Sequence, residues 1–178
     1  MNRAPGAGPK AIATVRIATG VIFLFFAEYK IVSPAFAYGG FESWIHQFVD
    51  NNMPVGFFRV VLVNFALVHP VLCARIVAWG ELAIGLSLVL SLLVRPASAG
   101  GAILMIALAL STWYAPGHGA AAWKYLGANL DHIPLLFLFV IFYATRAGET
   151  WGLDGRRNRS RPVPISGFGQ SRHSSSQS

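Results

Sequence analysis

The sequence predicts an all-α membrane protein: a four-transmembrane-helix bundle with an interfacial helix in the first external loop. Three observations point there. Charged residues make up 12% of the 178 residues and hydrophobic ones 54%, whereas soluble domains carry roughly 25% charged residues, so lipid is the expected solvent. A membrane span takes about 20 mostly apolar residues, and such stretches fall at about 11-32, 70-94, 98-115 and 129-146. Finally, Arg3, Lys10, Arg95, Arg146 and the tail arginines 156, 157, 159 and 161 share one side of a four-span arrangement, while the opposite loops hold Glu42, Asp50 and Asp131. Lys and Arg concentrate on the cytoplasmic side. Both termini are therefore expected in the cytoplasm, with the chain in the plasma (inner) membrane.

Each segment carries its own signal. Residues 1-10 read as a short cytoplasmic N-terminal segment. The first span, 11-32, contains Arg16, Glu28 and Lys30; the last two separate the apolar run from the small residues Ala35 and Ala37, which makes a poor signal peptide. Phe41, Trp44, Ile45, Phe48 and Val49 recur at helical spacing opposite Glu42, His46 and Asp50, the pattern of a helix lying on the membrane surface. Val55 to Val68 is apolar but short, and reads as re-entrant or interfacial. Pro70 opens the second span, since its missing N–H suits a first helical turn. Arg95, Pro96 and Gly100-Gly101 are expected to form a tight connection. The third span closes on Trp113 and Tyr114, interfacial aromatics. Asn129 or Asp131 is expected to cap the fourth. Residues 147-178 read as a basic, largely disordered cytoplasmic tail.

The net charge of +7 forms no basic stripe interleaved with aromatics, so nucleic acid is not an expected partner; the bilayer is. Cys73 is the single cysteine, which excludes an intrachain disulfide, a Cys-based zinc site and covalent haem attachment. No metal site is evident. The informative residues are charges that lipid should exclude. Glu81 lies about eleven residues, or roughly 16 Å, into its helix, near mid-membrane. It reads either as a proton-handling or ligand-contacting acid or as a structural partner of Arg16 or Arg75. Glu28 and Arg75 are expected to pair near the outer surface, and Arg75 could also hold a quinone carbonyl or an anionic headgroup. His132 reads either as an interfacial hydrogen-bonding residue or as a proton donor or acceptor at the mouth of a site. Glu28, Lys30, Arg75, Trp113, Tyr114, Asn129, Asp131 and His132 gather at outer helix ends, whereas the inner halves are apolar. This predicts a polar cavity opening outward, of a kind that suits a quinone head.

These residues also resemble a known family. Arg16-Ile17 followed by Gly20, an aromatic run, Lys30 and Pro34 resembles the first helix of DoxX/DoxD membrane proteins. Glu81-Leu82-Ala83-Ile84-Gly85-Leu86-Ser87-Leu88 followed by Arg95 is similar to their second helix and the turn after it. Asn129 with His132, and Ala147-Gly148-Glu149-Thr150-Trp151-Gly152-Leu153-Asp154, resemble the fourth helix and its cap. The stretch from Val55 to His69 is closer to the DoxD arrangement than to the shorter DoxX chains. The resemblance implies a four-helix membrane subunit of a redox complex that interacts with quinone, of the thiosulfate:quinone oxidoreductase type, with protein partners in that complex. On that reading Glu81 and His132 are the candidate catalytic residues, and Arg75, Glu28, Lys30, Asn129 and Trp113 the candidate ligand contacts. The alternative is a non-catalytic scaffold that recruits soluble redox or stress-defence enzymes to the membrane.

Overall fold

The computed structural model describes residues 7–145, 147–149 and 151, and every regular element among them is helical. Helix α1 (Ala7–Val32) is followed by a broken turn at Phe36–Gly40, where Gly39 takes φ of 129°. Helices α2 (Phe41–Asp50) and α3 (Gly56–Val61) come next, α3 continuing through a wider turn at Leu62–Ala66. Then follow α4 (Pro70–Leu90), α5 (Val94–Thr112), α6 (Ala122–Ala128), α7 (His132–Ala144) and a short turn at Ala147–Glu149. Helices α1, α4 and α5 are long and apolar enough to cross a membrane. Helices α6 and α7, bent by 69° at their junction, pass the same test only as a pair.

Several boundaries move from their expected places. Helix α1 begins at Ala7, inside the segment read as an N-terminal extension. Helix α4 ends at Leu90, and the connection to α5 is Ser91-Leu92-Leu93, with Ser91 and Leu93 both at positive φ. Arg95, Pro96, Gly100 and Gly101 therefore lie within α5. Proline tolerates the opening turn of a helix, and Gly101 serves packing instead of turning the chain. The last helix starts at His132. Asp131 occupies its cap position without a side-chain cap bond, and the Asn129 amide turns back to donate to the Tyr125 carbonyl at 3.0 Å.

Glycines set how closely the helices approach. A Cβ on Gly20 would lie 2.9 Å from Leu88 Cβ and 3.0 Å from the Gly85 carbonyl, so α1 and α4 meet almost backbone to backbone. A Cβ on Gly101 would stand 2.4 Å from the Phe139 ring, which seats α7 on α5. Membrane helices lack a hydrophobic drive to associate, and small residues at a crossing let dispersion contacts do that work. Around these crossings Phe23, Leu88, Met105, Phe139 and Phe142 form the main apolar core, with Phe23 edge-on to Phe139 at 5.3 Å. A second cluster, Ile45, Val49, Leu62, Ala66 and Cys73, fixes α2 and α3 against the start of α4.

The end of the molecule opposite α2 and α3 is held by Arg16, which is fully buried. Its Nη1 donates to Ser91 Oγ and to the Ala147 carbonyl, and Ser91 Oγ donates to the Gly148 carbonyl at 2.8 Å. A buried guanidinium is costly unless it is well bonded, so this latch joins α1, the α4–α5 turn and the Ala147–Glu149 turn. Ala147 and Gly148 are buried in it. The folded unit thus runs past residue 146, into what was read as the start of the tail; the rest of that tail, apart from Trp151, lies outside the described residues.

The neighbouring glycines of α5 give a direct check. Gly101→Leu forces a branched side chain into the Phe139 ring and should cost about 1–3 kcal/mol, the usual scale of overpacking. A Cβ on Gly100 meets nothing within 4 Å, and Gly100→Leu should unfold in detergent as wild type does. Equal stability of the two variants would contradict the seating of α7 on α5.

Candidate functional site

Helices α1, α4, α5 and the start of α7 enclose a cavity of about 430 Å³, roofed by α2 and α3. Helical spacing explains the walls. Residues Leu104, Met105, Leu108, Ser111 and Thr112 recur at three- and four-residue intervals and present one face of α5, while Phe41, Trp44, Ile45 and Phe48 do the same on α2. Phe23 and Lys30 come from α1, Phe58 and Leu62 from α3 and its continuation, Val77 and Glu81 from α4, and Asp131, His132 and Leu135 from the last helix and its start. The lining is mostly aromatic and aliphatic, with a few converging polar groups. The expected polar cavity is therefore an apolar one that carries a polar cluster.

At the centre of that cluster Lys30 Nζ lies 2.5 Å from Glu81 Oε1, the two side chains 11% and 6% exposed. The ammonium also lies 5.4 Å from the centre of the Phe36 ring, within reach of its negative face. Glu81 Oε2 has no hydrogen-bond partner among the described residues. The acid's partner is thus neither Arg16 nor Arg75. Arg16 sits in the latch, and Arg75 is exposed, donating to Tyr38 Oη at 2.8 Å. The expected Glu28–Arg75 pair does not form: among the described residues the ion pairs are Lys30–Glu81 and His132–Asp131, and Glu28 is exposed. Two residues along a helix amount to about 200° of rotation, so when Lys30 faces α4, Glu28 faces away.

His132 lies at the cavity edge with its side chain 15% exposed. Its Nδ1 is 2.8 Å from Asp131 Oδ1, an ion pair when the ring is protonated. Asn129 is fully buried at the junction of α6 and α7. Its Oδ1 accepts from Thr112 Oγ1 at 3.4 Å, and its backbone carbonyl accepts from the His132 and Ile133 amides. It staples the bend and does not line the cavity. Trp113 stacks on Tyr125 with centroids 6.3 Å apart, also outside it. Arg75 lines a separate crevice of about 190 Å³ with Ser33, Tyr38, Trp79 and Lys30.

Of the residues singled out in the sequence, Glu81, Lys30 and His132 come together, whereas Arg75, Glu28, Asn129 and Trp113 lie elsewhere. Sequence reasoning missed the aromatic roof of Phe36, Phe41, Trp44, Phe48 and Phe58, together with Ser111 and Thr112. The signal was present in α2, whose apolar stripe was assigned to lipid; the same periodicity serves a helix packed inward.

The ion pair can be tested by a double-mutant cycle. Lys30→Met or Glu81→Gln alone should lower stability in detergent by about 3–5 kcal/mol, because each strands a buried charge or its partner. The double variant should recover part of that loss. Strictly additive losses would mean that the two side chains do not interact.

Comparison with known proteins adds one finding. The DoxX family model matches residues 11–113, from the first long helix through Trp113, and so includes Lys30 and Glu81 but not Asp131 or His132. No curated protein and no solved structure matches the chain. The matched stretch is more than half of the 178 residues, and the chain belongs to the DoxX family.

Proposed function

We propose that this DoxX-family chain is a membrane subunit of a redox complex and that its cavity takes the ring of a quinone. On this reading α1, α4, α5 and the bent α6–α7 pair are four spans of the plasma membrane, α2 lies at its outer interface, and both termini are cytoplasmic. The single observation that carries the proposal is Oε2 of Glu81, a buried carboxylate oxygen that has no partner among the described residues and borders an aromatic-walled cavity. An ionised carboxylate is acceptor-only, and a protonated one gains a donor. It therefore matches either oxidation state of a quinone, accepting from a hydroquinone hydroxyl or donating to a quinone carbonyl. The cavity volume also falls within the range of small-ligand pockets.

Reduction of the ring takes two electrons and two protons. The electrons come from a donor enzyme bound to the subunit, and Glu81 passes one proton to a ring oxygen. Loss of that proton leaves Glu81 a carboxylate paired with Lys30, and His132 at the cavity edge is placed to reprotonate it and so to relay the second proton. The aromatic walls stack on the ring and keep bulk water away from it.

Orientation follows from the positive-inside rule. Reporter fusions at Asn51 and Gly119 should read external, and those at Leu92 and Ser174 internal. An external Ser174 would reject an even number of spans.

The role of Glu81 separates from its structural part through Lys30. Glu81→Gln should lower quinone reduction by the intact complex in liposomes by about 10²-fold or more per folded molecule, the usual scale for losing an acid–base group. Adding Lys30→Met should restore stability without restoring turnover. Full turnover in a folded Glu81→Gln subunit, with no quinone in the purified protein, would favour the scaffold reading.

A further inference from the structure

A second hollow of about 520 Å³ lies along the α4–α5 surface. Its walls include Ile76, Gly80, Ala83 and Ser87 on α4 and Ala97 and Gly100 on α5, and no charged residue lines it. At one end it shares Val77, Leu104 and Ala107 with the cavity that holds Lys30 and Glu81. These three side chains stand between the cavity and a groove on the outside of the helices. From Ile76 to Ser87 the groove follows α4 for about 16 Å at 1.5 Å per residue.

We infer that this groove holds the apolar tail of the lipid whose polar head occupies the cavity, the chain crossing between them at Val77, Leu104 and Ala107. The inference rests on the reading that a head-and-tail lipid is the ligand of the cavity. The cavity holds a carboxylate oxygen without a partner among the described residues, which calls for a protic head, and a volume of about 430 Å³ leaves a long hydrocarbon chain no room inside. The tail extends outside the cavity, and the α4–α5 wall backs onto a long groove that no charged side chain lines among the described residues.

The glycines support this independently. A Cβ on Gly80 or on Gly100 would touch nothing within 4 Å, so the packing of this chain has no need of glycine at either position. Glycine inside a helix is less favourable than alanine. Gly101, one residue on, is by contrast required by the Phe139 ring. What Gly80 and Gly100 do is keep the groove open. Its continuity with the cavity makes the tail of the same ligand the occupant, in preference to a partner helix.

The test compares two probes on the full-length protein in lipid nanodiscs: ubiquinone with its full isoprenoid tail, and the same ring with a methyl group in place of the tail. Trp44 lines the cavity, so the quenching lost in a Trp44→Phe control reports occupancy by the ring. Gly100→Leu, with Gly80→Leu as a second variant, places a branched side chain in the groove from a position where the Cβ meets nothing within 4 Å. Both variants should bind the tail-less ring as wild type does and the long-tailed quinone about tenfold more weakly, a loss of about 1.4 kcal/mol. Unchanged affinity for both probes in both variants would place the tail elsewhere and overturn the inference, as would equal weakening of both, which would mean that the substitutions act on the cavity itself. Unchanged affinities accompanied by loss of self-association would assign the groove to a second copy of the chain. Failure of wild-type protein to bind either probe would remove the quinone reading, and this inference with it.

Discussion

A carboxylate that faces an ammonium between two long apolar helices constrains everything around it. Taking either charge out of water costs several kcal/mol, and only close approach to the other offsets it. Glu81 and Lys30 are on α4 and α1, so the pair holds only if those helices stay near contact. Gly20 and Gly85 supply that condition, bringing the two backbones together about ten residues from Lys30 along α1. The crossing sets the spacing at one level and the ion pair reads it at another. Between them Phe23 fills the interface and meets Phe139, which in turn requires Gly101. The chain of dependence runs from the ion pair through all the long helices.

The two ends of the molecule solve the problem of buried charge in different ways. At the Arg16 end the guanidinium has bonds to Ser91 and to the Ala147 carbonyl, and the Ser91 hydroxyl carries the network on to Gly148. This is a stitched site. At the Lys30 end the polar groups are few, the walls are aromatic, and one carboxylate oxygen is unbonded among the described residues. One end is built as a joint and the other as a chamber. The bend at Asn129 belongs with the chamber, because it swings His132 and Asp131 to the edge of the cavity and lets α6 continue away from it.

The length and apolarity of α1, α4 and α5 were plain in the sequence, because a continuous run of apolar residues leaves few alternatives. So was the position of Glu81, since depth along a helix is simple counting. The choice of its partner was not. Lys30, Arg16 and Arg75 were all available cations, and only the rotation of α1 about its axis, set by Gly20 against Gly85, turns Lys30 inward and Glu28 outward. The bend between α6 and α7 was hidden for a related reason: Asn129 reads as a helix cap in one dimension, but its side chain bonds to Tyr125 and Thr112 once α5 lies beside it. The roof was not legible because an amphipathic stripe specifies a buried face without saying whether lipid or protein buries it.

That ambiguity bears on why the cavity exists at all. Had α2 lain with its stripe only in lipid, α1, α4 and α5 could have closed on one another above the ion pair, and Glu81 would have been a structural acid. Instead Phe41, Trp44 and Phe48 hold the roof over it, with α2 anchored through Ile45 and Val49 to Leu62, Ala66 and Cys73. Apolar residues of similar volume in place of a buried ion pair are often neutral or stabilising, so stability alone gives little reason for Lys30 and Glu81 to stand there. An ion pair with a free oxygen under an aromatic roof is poorly suited to holding helices together. It is well suited to receiving a molecule that brings a hydroxyl or a carbonyl to Oε2 and a flat ring to the aromatic walls.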